Sequence, residues 1–248
     1  MPSSSDPPRA PETPLFVTTH WSVVMQARDK GSPASLDALE ALCKAYWYPL
    51  YAYVRRLGNS SQDAEDLTQQ FFARLLQKDW LDSVQRERGR FRTFLIVAMK
   101  RFVANEWDKS RAARRGGGQP LHSLDTDCAE ARYLAEPSLP ADHLYDRRWA
   151  MILLEQALAC LRAEYEAGGR TGEFSRLKQY LTVDRGAIPY TAIAREAGST
   201  EGAARVAVHR LRKRFREIFR AAIAETVEQP GDIEAEVRYV AEVLGRME

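Results

Sequence analysis

The segment IPYTAIAREAGSTEGAARVAVHRLRKRFR, Ile188 to Arg216, decides how the chain is read. Ala194 precedes Gly198 by four. A small residue lets two helices approach, and a glycine accepts the left-handed turn between them. Thr200 is placed to cap a second helix that runs from Glu201 to about Ile223. From Gly202 onward that helix carries Arg205, Arg210, Arg212, Lys213, Arg214, Arg216 and Arg220 against Glu217, a net of +6. Its early residues Thr200, Gly202, Ala203, Arg205 and Val206, with His209, Arg210, Arg212 and Lys213 behind them, occupy the end that enters the major groove in a helix-turn-helix. The alternative is a helical hairpin with a solvated basic face. Spacing and charge together favour DNA.

A second basic stretch, GRFRTFLIVAMKRFVANEWDKSRAARR, runs from Gly89 to Arg115. Phe91, Phe94, Leu95, Ala98, Phe102 and Val103 recur at helical steps. Lys100, Arg101, Lys109, Arg111, Arg114 and Arg115 stand against Glu106 and Asp108, a net of +4. Cations follow phosphate and flat rings stack on unpaired bases. Phe91, Arg92, Phe94 and Trp107 therefore join these cations as candidate nucleic-acid residues, although for this stretch alone an ordinary amphipathic helix with a solvated basic face is the favoured reading.

Between the N-terminus and this stretch two further helices are expected. One starts at Ser35 or Asp37 after a break at Gly31–Pro33, and its inner stripe is Leu36, Leu39, Cys43, Tyr46, Trp47, Leu50, Val54 and Leu57. Pro49 removes a donor and predicts a kink or a break. The other follows the Gly58–Ser61 turn and is capped by Ser61 or Asp63. Ala64, Leu67, Phe71 and Leu75 face inward there, and Asp63, Asp66, Gln70 and Arg74 form an outer polar face.

Gln119 to Asp146 reads as a linker, with a net of −5 from Asp125, Asp127, Glu130, Glu136, Asp142 and Asp146 against Arg132. Pro137 and Pro140 argue against a continuous helix there. Helical pattern resumes at Trp149 and ends at Gly168-Gly169, and a short helix carries Phe174, Leu177 and Leu181. Beyond Glu225 the chain turns acidic, and Val237, Val240, Val243 and Leu244 predict one more amphipathic helix after Pro230-Gly231.

The fold class expected is therefore all-α: two small helical domains joined by a flexible acidic linker, the second with a helix-turn-helix. The divisions are a disordered tail at 1–14, a helical domain at 15–115, the linker at 116–148, the helix-turn-helix domain at 149–224 and an acidic extension at 225–248.

The 248 residues carry a net charge of only +2, but the charge is segregated into blocks, as nucleic-acid binders segregate it. Three dispersed cysteines, Cys43, Cys128 and Cys160, suit a reducing cytoplasm rather than a disulfide framework. No apolar run reaches the roughly 18 residues that span a bilayer, and the N-terminus is no signal peptide. Enzyme classes fare poorly. Gly116-Gly117-Gly118 lacks the lysine and helix start of a phosphate loop, and no zinc-protease or nucleophile-elbow motif occurs. His122, Asp125, Asp127 and Cys128 match no zinc spacing, and Asp63, Glu65 and Asp66 read as helix-end acids before they read as a magnesium site. No metal, no cofactor and no catalytic residue is expected.

Two basic helical blocks around an acidic connection resemble a bacterial sigma factor of the extracytoplasmic-function class, over about residues 36–115 and 149–220. The segment from Asp63 to Leu75 looks like that family's polymerase-binding helix. Phe91 to Leu95, then Asn105 to Trp107 and the Lys109–Arg115 run, look like its melting and minus-ten-reading segment. Tyr190 to Arg216 looks like its minus-thirty-five reader. The resemblance implies core RNA polymerase as a partner, bound through Asp63, Glu65, Asp66, Gln69, Gln70 and Arg74. It also implies promoter DNA as a partner, and an anti-sigma factor or a regulatory kinase as a further partner class, with Thr68 a candidate control point. Arg101 stands where the family often has Asn, and Ala203 and Ala207 stand where Thr and Arg are common, so promoter sequence does not transfer. The other readings are a stand-alone helix-turn-helix regulator, a metal-dependent nuclease, and a scaffold that keeps only the docking face.

Overall fold

The computed structural model describes Val24, Ala27 and residues 33–77, 90–113, 126–227 and 229–245; the described residues hold nine α-helices and no strand. Helix α1 is Pro33–Arg56, α2 is Ser61–Gln77 and α3 is Phe91–Ala113. Helices α4 (Thr126–Leu134) and α5 (Ala141–Ala167) follow, then α6 (Thr171–Leu177) and α7 (Tyr190–Glu196). Helix α8 (Glu201–Ala224) and α9 (Ile233–Gly245) complete the order, with short 3-10 turns at Lys178–Leu181, Arg185–Ala187 and Pro230–Asp232.

Two apolar cores form. The first joins α1, α2, α3, the front half of α5, the end of α8 and the valines of α9. The second joins the back half of α5, α6, α7 and the front of α8. Helix α5 serves both: Leu144, Tyr145, Trp149 and Leu153 lie in one, and Ala157, Leu161 and Tyr165 in the other.

Local sequence explains most of the ends. Pro33 opens α1 rather than breaking the chain, since a first-turn residue has no helical acceptor for the missing N–H. Helix α1 continues through Pro49 instead of ending there. Of its expected inner stripe, Tyr46, Leu50 and Val54 are buried and Leu39, Cys43 and Trp47 pack half-buried on the core, but Leu36 and Leu57 are exposed, and Ala38, Leu42, Ala45 and every residue from Tyr48 to Val54 are buried as well. The second half of α1 lies between α2 and α5, so it is apolar on all sides. Ser60, one residue earlier than expected, caps α2: its hydroxyl accepts from Asp63 N at 3.1 Å and donates to the Asp63 carboxylate at 2.7 Å.

The largest departure concerns the linker. Residues 126–134 and 141–148, expected to be flexible, are helical. The acids that made this stretch look like solvated linker find partners inside the chain. Glu130 accepts from Arg55 Nε at 2.9 Å and Tyr51 Oη at 2.6 Å. Glu136, its side chain wholly enclosed, pairs with Arg147 and Arg148 and accepts from Tyr48 Oη at 2.7 Å. Asp142 pairs with Lys100 at 2.7 Å. Pro137 and Pro140 mark the break between α4 and α5, so there is indeed no single helix across the stretch.

Candidate nucleic-acid and docking surfaces

Helix α2 positions the acidic candidates. Asp63 and Gln70 are exposed, Asp66, Gln69 and Arg74 are half-buried, and Glu65 is buried. Gln69 Nε2 donates to Glu65 Oε1 at 3.0 Å. Arg74 turns toward α3: it pairs with Glu106 at 2.7 Å and lies 4.8 Å from the Phe102 ring centroid. Asp66 pairs with no cation among the described residues. Burial, followed by repulsion from Glu65 and Asp63, pushes its carboxyl pKa up. The outward face of α2 thus carries the exposed Asp63 and the half-buried Asp66 side by side. Thr68 points the other way; it is fully buried and donates to the Ala64 carbonyl at 2.7 Å.

Helix α3 divides into two parts. Its first turns are packed: Phe91, Arg92, Leu95, Met99, Phe102 and Val103 are buried and Phe94 is half-buried. Phe91 meets Tyr46 edge-on at 5.6 Å and stacks on Phe94 at 6.1 Å. Phe91 and Arg92 thus occupy the interior rather than a DNA-facing surface, because the ring fills the first core and the guanidinium meets enclosed carboxylates. The later turns are open: Lys100, Arg101, Asn105, Trp107, Asp108 and Lys109 are exposed, Trp107 to 43%. Lys100 and Lys109 hold exposed ion pairs with Asp142 and Glu106. Such pairs are weak, and phosphate can displace them. The side chain of Arg111, and Arg114 and Arg115 altogether, lie outside the described residues.

On α8 the apolar face is Ala204, Val208, Leu211, Ile218 and Ala222, all buried. Gly202, Val206, His209 and Lys213 lie opposite, with Ala203, Arg205 and Arg210 flanking them, and all are exposed. Thr200 Oγ1 accepts from Ala203 N at 3.2 Å and fixes the start of the helix. The turn before it places Gly198 at φ +59°, a backbone region that favours glycine, and Ala194 is buried against the neighbouring helix. Arg205 lies 4.5 Å from the Tyr190 ring centroid and pairs with Glu201 at 2.6 Å, which holds its guanidinium at the exposed edge.

Arg212 departs from its expected role. Its Nε donates to the Tyr180 carbonyl at 2.7 Å and its Nη2 to the Val183 carbonyl, so it braces the segment before α7. Arg214 likewise pairs with Glu164 at 2.6 Å, and Arg220 with Glu234. Only part of the +6 read from the sequence remains for a partner.

The acidic extension is where sequence reasoning missed most. Helix α9 buries Val240 and Val243, and it also buries Glu236 completely. Glu236 pairs with Arg92, and Arg90 Nη2 lies 2.6 Å from its other oxygen. Arg92 also reaches Asp146 at 3.7 Å and lies 3.8 Å from the Trp149 ring centroid and 5.0 Å from that of Tyr239. Tyr239 donates to Asp146; burial and that hydrogen bond push its pKa up to about 12. Glu236 stands four residues before Val240 and seven before Val243, on the stripe those valines define, so periodicity places it on the inner face and only its charge argues for the surface.

Residues 42–113 match the family model of Sigma-70 region 2. The match runs from within α1 to the end of α3. No curated protein and no solved structure matches the chain. In sigma factors this region binds core RNA polymerase and minus-ten promoter DNA, and those proteins are initiation factors rather than enzymes. The region-2 segment thus contains both the acidic face of α2 and the open basic turns of α3. Among the described residues no group of three or more His, Cys, Asp or Glu is placed to hold a metal ion. His122 and Asp125 are outside them. No helix among the described residues is long and apolar enough to cross a membrane.

Proposed function

We propose that this chain is a sigma factor of the extracytoplasmic-function class, acting in the cytoplasm as a dissociable subunit of RNA polymerase. The observation that carries the reading is the region-2 match lying on one core that presents an acidic face on α2 and an exposed cation-and-tryptophan face on α3. Asp63, Asp66 and Gln70 dock on the core enzyme. Lys100, Arg101, Asn105, Trp107 and Lys109 hold the minus-ten element: cations take phosphate and Trp107 offers a stacking plane for an unpaired base. On the second core, Gly202, Arg205, Val206, His209, Arg210 and Lys213 face the major groove of the minus-thirty-five element, with small side chains letting the helix approach.

Two weakly bound DNA elements read at a set spacing give strong binding only when the polymerase holds both modules in place. The free chain should therefore bind promoter duplex weakly and core polymerase tightly. Promoter-specific run-off transcription with core enzyme tests this. The exposed face of α8 also supports a second reading, a stand-alone helix-turn-helix regulator. Tight, sequence-specific duplex binding by the protein alone, without transcription in the reconstituted assay, would decide for it. An anti-sigma factor or a kinase is a proposed regulator.

A further inference from the structure

We propose that α9 is an intramolecular clasp whose Glu236 carboxylate occupies a phosphate site formed by Arg90 and Arg92. The inference rests on the nucleic-acid role proposed for α3 and adds a control to it.

Three observations converge. First, Arg90 and Arg92 stand at the head of the helix whose later turns carry the exposed cations, Arg90 just before its first turn and Arg92 on the inner face it shares with Leu95, Met99 and Val103. Second, that end of the helix is closed by a residue 144 positions away: Glu236 is completely buried and Arg92 is 5% exposed, whereas Arg90 keeps 36% side-chain exposure. Two guanidinium groups converging on one carboxylate reproduce the arrangement that takes a phosphate oxygen. Third, the element supplying that carboxylate is short. Helix α9 has 13 residues, follows the Pro230–Asp232 turn, and is held by Val240 and Val243, by the half-buried Ile233, Val237 and Leu244, by the Tyr239–Asp146 hydrogen bond and by the ion pairs of Glu236 and Glu234. A buried ion pair contributes little net stability because desolvation offsets attraction, but it sets register well. Such a helix docks in one position, and a phosphate that replaces the Glu236 carboxylate offsets the cost of stranding the arginines when it leaves.

Docking of α9 and contact of Arg92 with a phosphate exclude each other. Because α9 packs on both α5 and α8, it also ties α3 to the helix that carries the second DNA-facing surface. Undocking releases the Glu236 carboxylate from the arginines, while α5 still joins the two cores.

The test uses the full chain as wild type, Glu236→Gln and Val240→Asp. Binding of a fluorescently labelled single-stranded oligonucleotide is followed by anisotropy, and hydrogen exchange is followed over 233–245 and over α3 and α5. Glu236→Gln removes the charge at constant size, and Val240→Asp detaches α9 while leaving all three ionic groups in place. Both variants should lose protection in α9 alone and gain about tenfold or more in oligonucleotide affinity, the factor by which a closed population masks a site. Saturating oligonucleotide should lower α9 protection in the wild type, as linkage requires. Unchanged α9 protection and affinity in both variants would overturn the clasp. So would joint loss of protection in α3, α5 and α9, which would make α9 an inseparable part of the core. Release of α9 without any gain in affinity would remove the phosphate site. Run-off transcription by the wild type reads the proposed function separately from all of these outcomes.

Discussion

Two acidic regions of this chain have opposite fates. The carboxylates of α4, of the turn after it, of α5 and of α9, namely Glu130, Glu136, Asp146 and Glu236, lie inside networks of arginine and tyrosine. The carboxylates of α2 lie beside one another, and Asp66 is pushed toward protonation by burial and by its neighbours. The first set is structural, because each charge has its counter-ion within the fold. The second set costs the free protein some stability, which is reasonable where a partner supplies the counter-charge. A run of acids along a sequence does not by itself separate these cases.

The comparison breaks most visibly at Glu136. Glu136→Ala leaves Arg148 buried beside an emptied site, and we expect a loss of about 3–5 kcal/mol in urea unfolding. A loss below about 1 kcal/mol would place the residue with the solvated acids. Next in size is Arg212→Ala, which removes two charge-assisted bonds to backbone carbonyls and should cost about 2 kcal/mol of stability. Arg205→Ala should leave stability within about 0.5 kcal/mol, weaken promoter-duplex binding by polymerase holoenzyme by about 1–3 kcal/mol, and make it less sensitive to salt. If the two variants behaved alike, the division of α8 into bracing and open arginines would fail.

A smaller effect is expected at Glu130. The hydrogen bond from Arg55 leads the interactions that hold its pKa below the usual glutamate value. The stability this adds is present above the unfolded value of about 4.3 and is lost as pH falls through the lower folded value. Glu130→Gln should flatten the acid limb of a stability–pH curve by about 1 kcal/mol, discounted for partial solvent screening. The smallest effect has the opposite sign. The Asp66 pKa is raised, so the folded state gains as pH falls through it, and Asp66→Asn should stabilise the free chain at pH 7 by a few tenths of a kcal/mol. The same variant should weaken association with core polymerase in a pull-down. Loss of both stability and association would point to ordinary structural damage.

Much of the secondary structure is legible residue by residue. The turn at Gly198, the Thr200 cap, the C-terminal valine repeat and the end of α5 at Gly168 follow from short-range rules that act within a few residues. The open cations of α3 and the face of α8 follow from the same periodicity, since a residue opposite an apolar stripe is exposed. Errors appear where a second element intervenes. Arg92 looks like a surface residue of a basic helix, yet Glu236 encloses it from 144 residues away, and Phe91, on the apolar repeat but read as a nucleic-acid residue, is covered by Tyr46 from 45 residues away. Glu130 and Glu136 look like linker until Arg55 and Arg148 are beside them.

Sequence by itself therefore settles the helical class, the ends of several helices and the two exposed basic faces, because propensity, capping and periodicity are local. Tertiary structure alone decides which charges remain available to a partner. A charge is neutralised by whatever opposite charge lies within a few ångström, and across 248 residues that neighbour is set by packing and not by chain order.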